Sequence, residues 1–322
     1  MSARLWIALL VVLLALSLLL TLCQGPVELD WPWAQNAFER QVLWDLRWPR
    51  ACLAMLLGAG LAASGCVLQT LMQNSLAEPG LLGISSGASL LAVATLVLSR
   101  VLGISLPSWG LSLAAFSGAI LMTVLLLALV RRQRLDISRL LLLGVALGIC
   151  ASAATTWLLF MANDGTLREI LFWMMGSLAY GQSRPVLWWL PYLLVLGWLM
   201  WRRDWLARLQ LGEQHALLMG LDPARVRWQL ILAVAFLTGM AVALAGAIGF
   251  IGLLLPHLMR LLTRRGVATV LPVATLGGAI ALLWADWLAR MLPQAGELPV
   301  GIVTATLGAP ALVMLLLRRQ YD

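Results

Sequence analysis

The stretch Ala245-Gly246-Ala247-Ile248-Gly249-Phe250-Ile251-Gly252-Leu253-Leu254-Leu255-Pro256-His257-Leu258-Met259 decides how the chain is threaded. It lies between Arg227 and Arg260, whose Arg-rich surroundings the positive-inside bias assigns to one face of a membrane. The 32 residues separating those two arginines are too few for two full spans, which need about 40. One arrangement satisfies both constraints: a helix that crosses, a Gly-rich turn, and a short return helix near 250–260. Broken helices of this kind are tolerated where they are buried in protein or line a water-filled cavity.

Working outward, apolar runs near 5–23, 51–71, 87–104, 109–130, 140–162, 186–201, 228–247, 267–291 and 300–317 are long enough for a bilayer. The 322 residues are 62% hydrophobic and 11% charged, against roughly 25% charged in a soluble domain. The chain therefore reads as one all-α polytopic membrane domain, 1–322, with ten transmembrane helices and both termini cytoplasmic. Arg4, Arg131, Arg132, Arg134, Arg139, Arg202, Arg203, Arg208, Arg225, Arg227, Arg260, Arg264, Arg265, Arg318 and Arg319 fall inside in this threading. Arg40, Arg47, Arg50, Arg100, Arg168, Arg184 and Arg290 fall outside, a two-to-one inward excess that supports the orientation. The run Leu5 to Leu20 reads as the first transmembrane helix and not as a lipoprotein leader, because Leu22 before Cys23 is not small.

Several function classes drop out. All 22 basic residues are Arg, so no phosphate-binding loop, which needs a lysine to reach the phosphates, can be present. Any ATP hydrolysis must occur on another polypeptide. The net charge of +8 sits in the breaks between apolar runs, where topology explains it without nucleic acid. His215 and His257 have no carboxylate or cysteine cluster at metal-ligand spacing, and Cys23, Cys52, Cys66 and Cys150 form no C-x-x-C pair. No catalytic constellation and no metal site emerge. Asp286 and Arg290, at i and i+4, face one side of a helix and can pair; a proton- or sodium-coupled carrier would need a longer intramembrane relay.

Two polar stretches do more than connect. Residues 73–87, with Asn74, Glu78, Pro79 and Gly80, break helical geometry and read either as a plain turn or as the mouth of a pathway. Residues 202–229 carry Leu206, Leu209, Leu217, Leu218 and Leu221 at helical spacing, with breakers at Gly212, Gly220 and Pro223. Two short helices follow, forming a docking surface for a partner or a loop lying on the headgroups.

Four motifs now stand in order: Leu76-Ala77-Glu78-Pro79-Gly80-Leu81-Leu82-Gly83; Leu211-Gly212-Glu213 with Gly220 downstream; Gly246-Ala247-Ile248-Gly249-Phe250-Ile251-Gly252 with Pro256-His257; and Gly296-Glu297-Leu298-Pro299-Val300-Gly301. Together they make the chain resemble, over essentially its whole length, the importer permeases of the iron-siderophore and vitamin B12 ABC transporter family. Arg139 to Ile149 and Trp173 to Ser177 resemble most the branch that imports vitamin B12. Importers of ferric siderophore or haem share the architecture and stay open as an alternative.

The resemblance implies a homodimer in the bacterial inner membrane, surrounded by lipid, with two ATP-binding subunits below and one periplasmic substrate-binding protein above. ATP and Mg would be bound by the partner ATPase, with no cofactor on this chain. It implies that Leu211, Gly212, Glu213 and Gly220 couple to the ATPase. Arg47, Arg50 and Arg290 would receive acidic residues of the binding protein, a task suited to the planar guanidinium. A cytoplasmic gate would fall on Asn74, Leu76 and Ser138. Val145, Gly148, Ser152, Thr155 and Thr156 would line a pathway between two copies of one helix, or else serve as small helix-packing residues.

Overall fold

The computed structural model describes residues 2–25, 36–107, 109–133, 137–180, 189–292 and 297–318. Arg134, Arg184, Gly296 and Arg319 therefore lie outside the described residues. All regular structure within them is helical: α1 (Ala3–Cys23), α2 (Ala37–Gln41), α3 (Trp48–Leu71), α4 (Ile84–Val101), α5 (Gly110–Gln133), α6 (Ile137–Met161), α7 (Asp164–Met174), α8 (Leu190–Trp201), α9 (Arg203–Gln210), α10 (Glu213–Leu218), α11 (Pro223–Ala245), α12 (Ile251–Thr263), α13 (Val267–Met291) and α14 (Val300–Arg318). A π-helical turn, Val42–Arg47, joins α2 to α3, so that 37–71 is one continuous rod.

Among the described residues, seven helices are long and apolar enough to cross a membrane, and three shorter apolar helices stand at 190–201, 251–263 and 300–315. The helix ends follow local chemistry. Asp222 Oδ1 accepts the amides of Ala224 and Arg225 at 3.1 and 3.2 Å, with Pro223 in the first turn; a capping carboxylate followed by proline is a strong start signal. The expected connection 202–229 thus ends early, and its last residues are the first turns of α11. Between α8 and α11 it forms two short helices, α9 and α10. The pattern reading did not anticipate α7, capped by Asn163 Oδ1 on the Thr166 amide at 2.9 Å.

Helix α3 is the hub. Nearly every residue from Ala51 to Leu71 is buried or close to it, and α11, α12 and α13 pack around it. Gly58 and Gly278 let α3 and α13 touch backbone to backbone, since a methyl group on either would collide with the other's carbonyl oxygen. Small residues at the contact are how helices associate where no hydrophobic force drives them together. Helix α5 packs between α4 and α11, and α4 packs in turn on α6. Helix α1 lies outside, pinned to α13 by Trp284 Nε1 donating to Ser17 Oγ at 2.9 Å.

Candidate functional site

The turn between α11 and α12 is built as its glycines require. Gly246 has φ 71° and ψ −166°, outside the space of residues with a Cβ. A side chain there would also collide with the carbonyl of Trp173. The Ser177 amide donates to the Ala245 carbonyl at 2.7 Å, and the Gly301 amide donates to the Gly176 carbonyl at 3.5 Å. Segments 173–177, 246–252 and 297–301, far apart in sequence, thus converge on one backbone crossing.

A carboxylate ties this crossing to the polar stretch after α3. Phe250, at φ 67° in front of α12, donates its amide to Glu78 Oε1 at 3.3 Å. Burial raises the Glu78 pKa above the usual carboxylate range, and the Phe250 amide offsets only part of that. Gln69 Nε2 adds a second tie by donating to the Leu253 carbonyl at 3.0 Å.

Around Glu78 the chain is irregular, as Pro79 and Gly80 predict: a 3₁₀ turn spans Pro79–Leu82, and Gly83 is left-handed. Asn74 is exposed and its Oδ1 accepts the Leu76 amide at 2.9 Å, so its side chain shapes the loop locally. Leu76 projects outward. Ser138 lies in the first turn of α6, with its side chain outside the described residues.

At the other end of α3 the outward-assigned arginines gather. Arg50 Nε donates to Asp286 Oδ1 at 2.8 Å and its Nη1 to Glu297 Oε2 at 2.7 Å. Arg290 Nε takes the other Asp286 oxygen at 3.1 Å. Asp286 is fully enclosed, 0% exposed, whereas Glu297 is 46% exposed. Arg47 donates from Nη1 to the carbonyls of Leu22 and Cys23 at 2.7 and 3.1 Å, where the partial negative charge of the α1 C-terminus favours a cation. All three arginines are buried within the chain. The i, i+4 spacing found half of this cluster; Arg50 as a partner of Asp286 and Glu297 as its outer carboxylate left no local signal.

The short helices α9 and α10 present two faces. Leu206, Leu209, Ala216 and Leu221 are buried, while Leu211, Leu217, Leu218 and Met219 are exposed, Leu218 at 87%. Positive φ at Gly212 and Gly220 sets the turns. Glu213 pairs with Arg227 of α11. His215 is exposed and His257 buried, and the described residues hold no metal-ligating group of three.

On α6 the five small residues divide. Val145, Ser152 and Thr156 share an exposed face. Gly148 is buried against the Gly83 turn, and Thr155 is buried with its hydroxyl on the Ala151 carbonyl at 2.9 Å.

Residues 9–318 match the model of the FecCD transport family. The chain belongs to that family. With seven helices among the described residues long and apolar enough to cross a membrane, it is a multi-pass membrane protein. The FecCD chain is 44% identical to the vitamin B12 import system permease protein BtuC of Klebsiella pneumoniae over 319 residues, 99% of this chain and 95% of that one. It is 44% identical to BtuC of Vibrio cholerae over 293 residues, 89% and 86% of the two chains. Among solved structures, a chain of an inward-facing ABC transporter of the metal-chelate type superposes with TM-score 0.87 at 30% identity, covering 97% of this chain and 98% of that one.

Proposed function

We propose that this chain is the permease subunit of an ATP-driven, binding-protein-dependent importer that moves vitamin B12 across the bacterial inner membrane by alternating access. The observation that carries the reading is the 44% identity to a B12 permease across 99% of the chain. The 30% identity to a metal-chelate transporter favours a second cargo, ferric siderophore or haem, on the same architecture.

In this reading the seven long and three shorter apolar helices make ten crossings, with both termini cytoplasmic and 1–322 a single domain. Two copies associate through faces that include the exposed side of α6, where Val145, Ser152 and Thr156 line the pathway. ATP and Mg bind separate ATPase subunits. Those subunits dock on α9 and α10 through Leu211, Gly212, Glu213 and Gly220, and the exposed apolar face there suits a groove on a partner.

Motion then has a physical route. Glu213 is paired with Arg227 on α11, α11 ends at the Gly246 turn, and Glu78 ties that turn to the loop of Asn74 and Leu76, the proposed gate with Ser138. On the opposite face Arg47, Arg50 and Arg290 would receive the binding protein, and Arg50 already holds the half-exposed Glu297. An acidic binding protein would add a carboxylate where Glu297 now lies.

The test is uptake of labelled cobalamin by cells lacking their own B12 permease, supplied with this chain, its ATPase and its binding protein. Uptake supports the reading. A complex that hydrolyses ATP and moves ferric siderophore instead keeps the architecture and replaces the cargo.

A further inference from the structure

At the C-terminal ends of α3 and α5 and the N-terminal ends of α6 and α11, a cavity of ≈ 230 Å³ opens among Leu71, Leu127, Leu140 and Ile231, with Arg131, Arg227 and Trp228 in its wall. A second hollow of ≈ 630 Å³ shares Leu127, Arg131 and Trp228 and continues between α5 and α11 past Val124, Ala128 and Leu232. The outer part of this groove lies on surface where Leu121, Val124, Leu125 and Leu232 are exposed, the side a spanning helix pair turns to hydrocarbon.

One end of the groove is cationic and the other apolar. Arg131 is exposed and forms no ion pair with any described residue. Arg227, half-buried, is held by Glu213 through one terminal nitrogen, which leaves other donors of its fork available. Trp228 lines both hollows, an amphipathic ring of the kind that settles at headgroup level. A free anion would explain the arginines but not the apolar trough, and a neutral acyl chain would explain the trough but not the arginines.

We infer that this groove is a binding site for an anionic phospholipid, with the headgroup phosphate on Arg131 and Arg227 and an acyl chain along α5 and α11. Basic pockets between helix ends on a cytoplasmic face hold anionic headgroups by this combination of charge and hydrophobic burial. The site requires only that the chain spans a membrane, so it stands whatever the cargo.

The experiment is native mass spectrometry of the full-length chain, released from detergent micelles containing equal phosphatidylglycerol and phosphatidylcholine. Phosphatidylglycerol is retained in preference, and Arg131→Gln with Arg227→Gln lowers that retention roughly tenfold. The charge-matched pair Arg100→Gln with Arg168→Gln leaves it unchanged. Ala128→Trp fills the trough without touching either arginine and lowers retention as well, so a folding defect in the double Arg variant does not remove the test. Equal retention of the two lipids, or retention indifferent to both the arginine pair and Ala128→Trp, overturns the site. Displacement by millimolar inorganic phosphate overturns it too, by making it a plain anion site.

Discussion

Arg50 and Asp286 stand 236 residues apart in the chain and meet at 2.8 Å in its interior. Asp286 divides its two oxygens between Arg50 and Arg290, and neither arginine is open to bulk water. Removing one partner from a buried charge set leaves the remainder uncompensated, at a cost of about 3–5 kcal/mol. Asp286→Ala should therefore lower the thermal midpoint of the detergent-solubilised protein sharply. Replacing Asp286, Arg50 and Arg290 together by apolar residues of similar size should restore much of the loss. A thermal scan in which the single variant melts with the wild type would show that the cluster contributes nothing.

Glu297 is the exchangeable member of that cluster, because it is half-exposed and holds Arg50 through one nitrogen. If an acidic binding protein docks there, Glu297→Gln removes its internal competitor. Affinity should rise by about fivefold, the equivalent of a partly exposed ion pair, as read by surface-immobilised binding. Weaker or unchanged affinity would separate the arginines from docking.

The Gly246 turn allows a paired test. Gly246→Ala meets both a positive φ and the Trp173 carbonyl, and the two penalties together reach about 3 kcal/mol or more. Gly249→Ala lies three residues on, where an added methyl group meets nothing, and should fold normally. Yield and thermal midpoint of the two variants side by side decide the matter.

Glu78 predicts a pH dependence with a defined sign. Its carboxyl is raised by burial, so the folded state holds the proton more tightly than the unfolded chain does. The contribution is fully present below the unfolded value of about 4.3. It is lost as pH rises through the raised folded value. Glu78→Gln keeps an oxygen for the Phe250 amide and cannot ionise, so the midpoint of the wild type should fall relative to the variant across that window and run parallel above it. Parallel curves throughout would place the carboxyl in an ordinary environment.

Leu218, 87% exposed on α10, touches little of its own chain. If ATPase subunits dock on α10 as proposed, Leu218→Arg should change stability by no more than about 0.5 kcal/mol yet weaken their co-purification by an order of magnitude or more, as expected for an apolar anchor at an interface centre. Leu206→Ala, fully buried next door, should do the reverse and cost about 2–5 kcal/mol of stability.

The apolar helices, the short helix at 251–263 behind the Gly246 turn and the two short helices within 202–229 were legible in the sequence, because apolar period, glycine and proline act locally. The expected span 267–291 coincides with α13 (Val267–Met291). Helix α4 starts three residues before the expected 87 because a left-handed Gly83 opens it. The site was legible in part: Asp286 and Arg290 share a helix and their spacing announces the pair, whereas Asn74 and Thr155 were found by residue type, which does not say whether a side chain points outward or into the loop or helix beside it.

What the sequence by itself determined is set within one or two helical turns: which segments are apolar, where caps and breakers stop most of them, and that these 322 residues carry no lysine for a phosphate-binding loop. The tertiary structure alone decided that Arg50 belongs to Asp286, that Glu78 caps the Phe250 amide, and that Arg131 and Arg227 border one groove. Those contacts join residues on different helices. The meeting of such helices is fixed by backbone approaches such as Gly58 on Gly278, whose geometry no local pattern encodes.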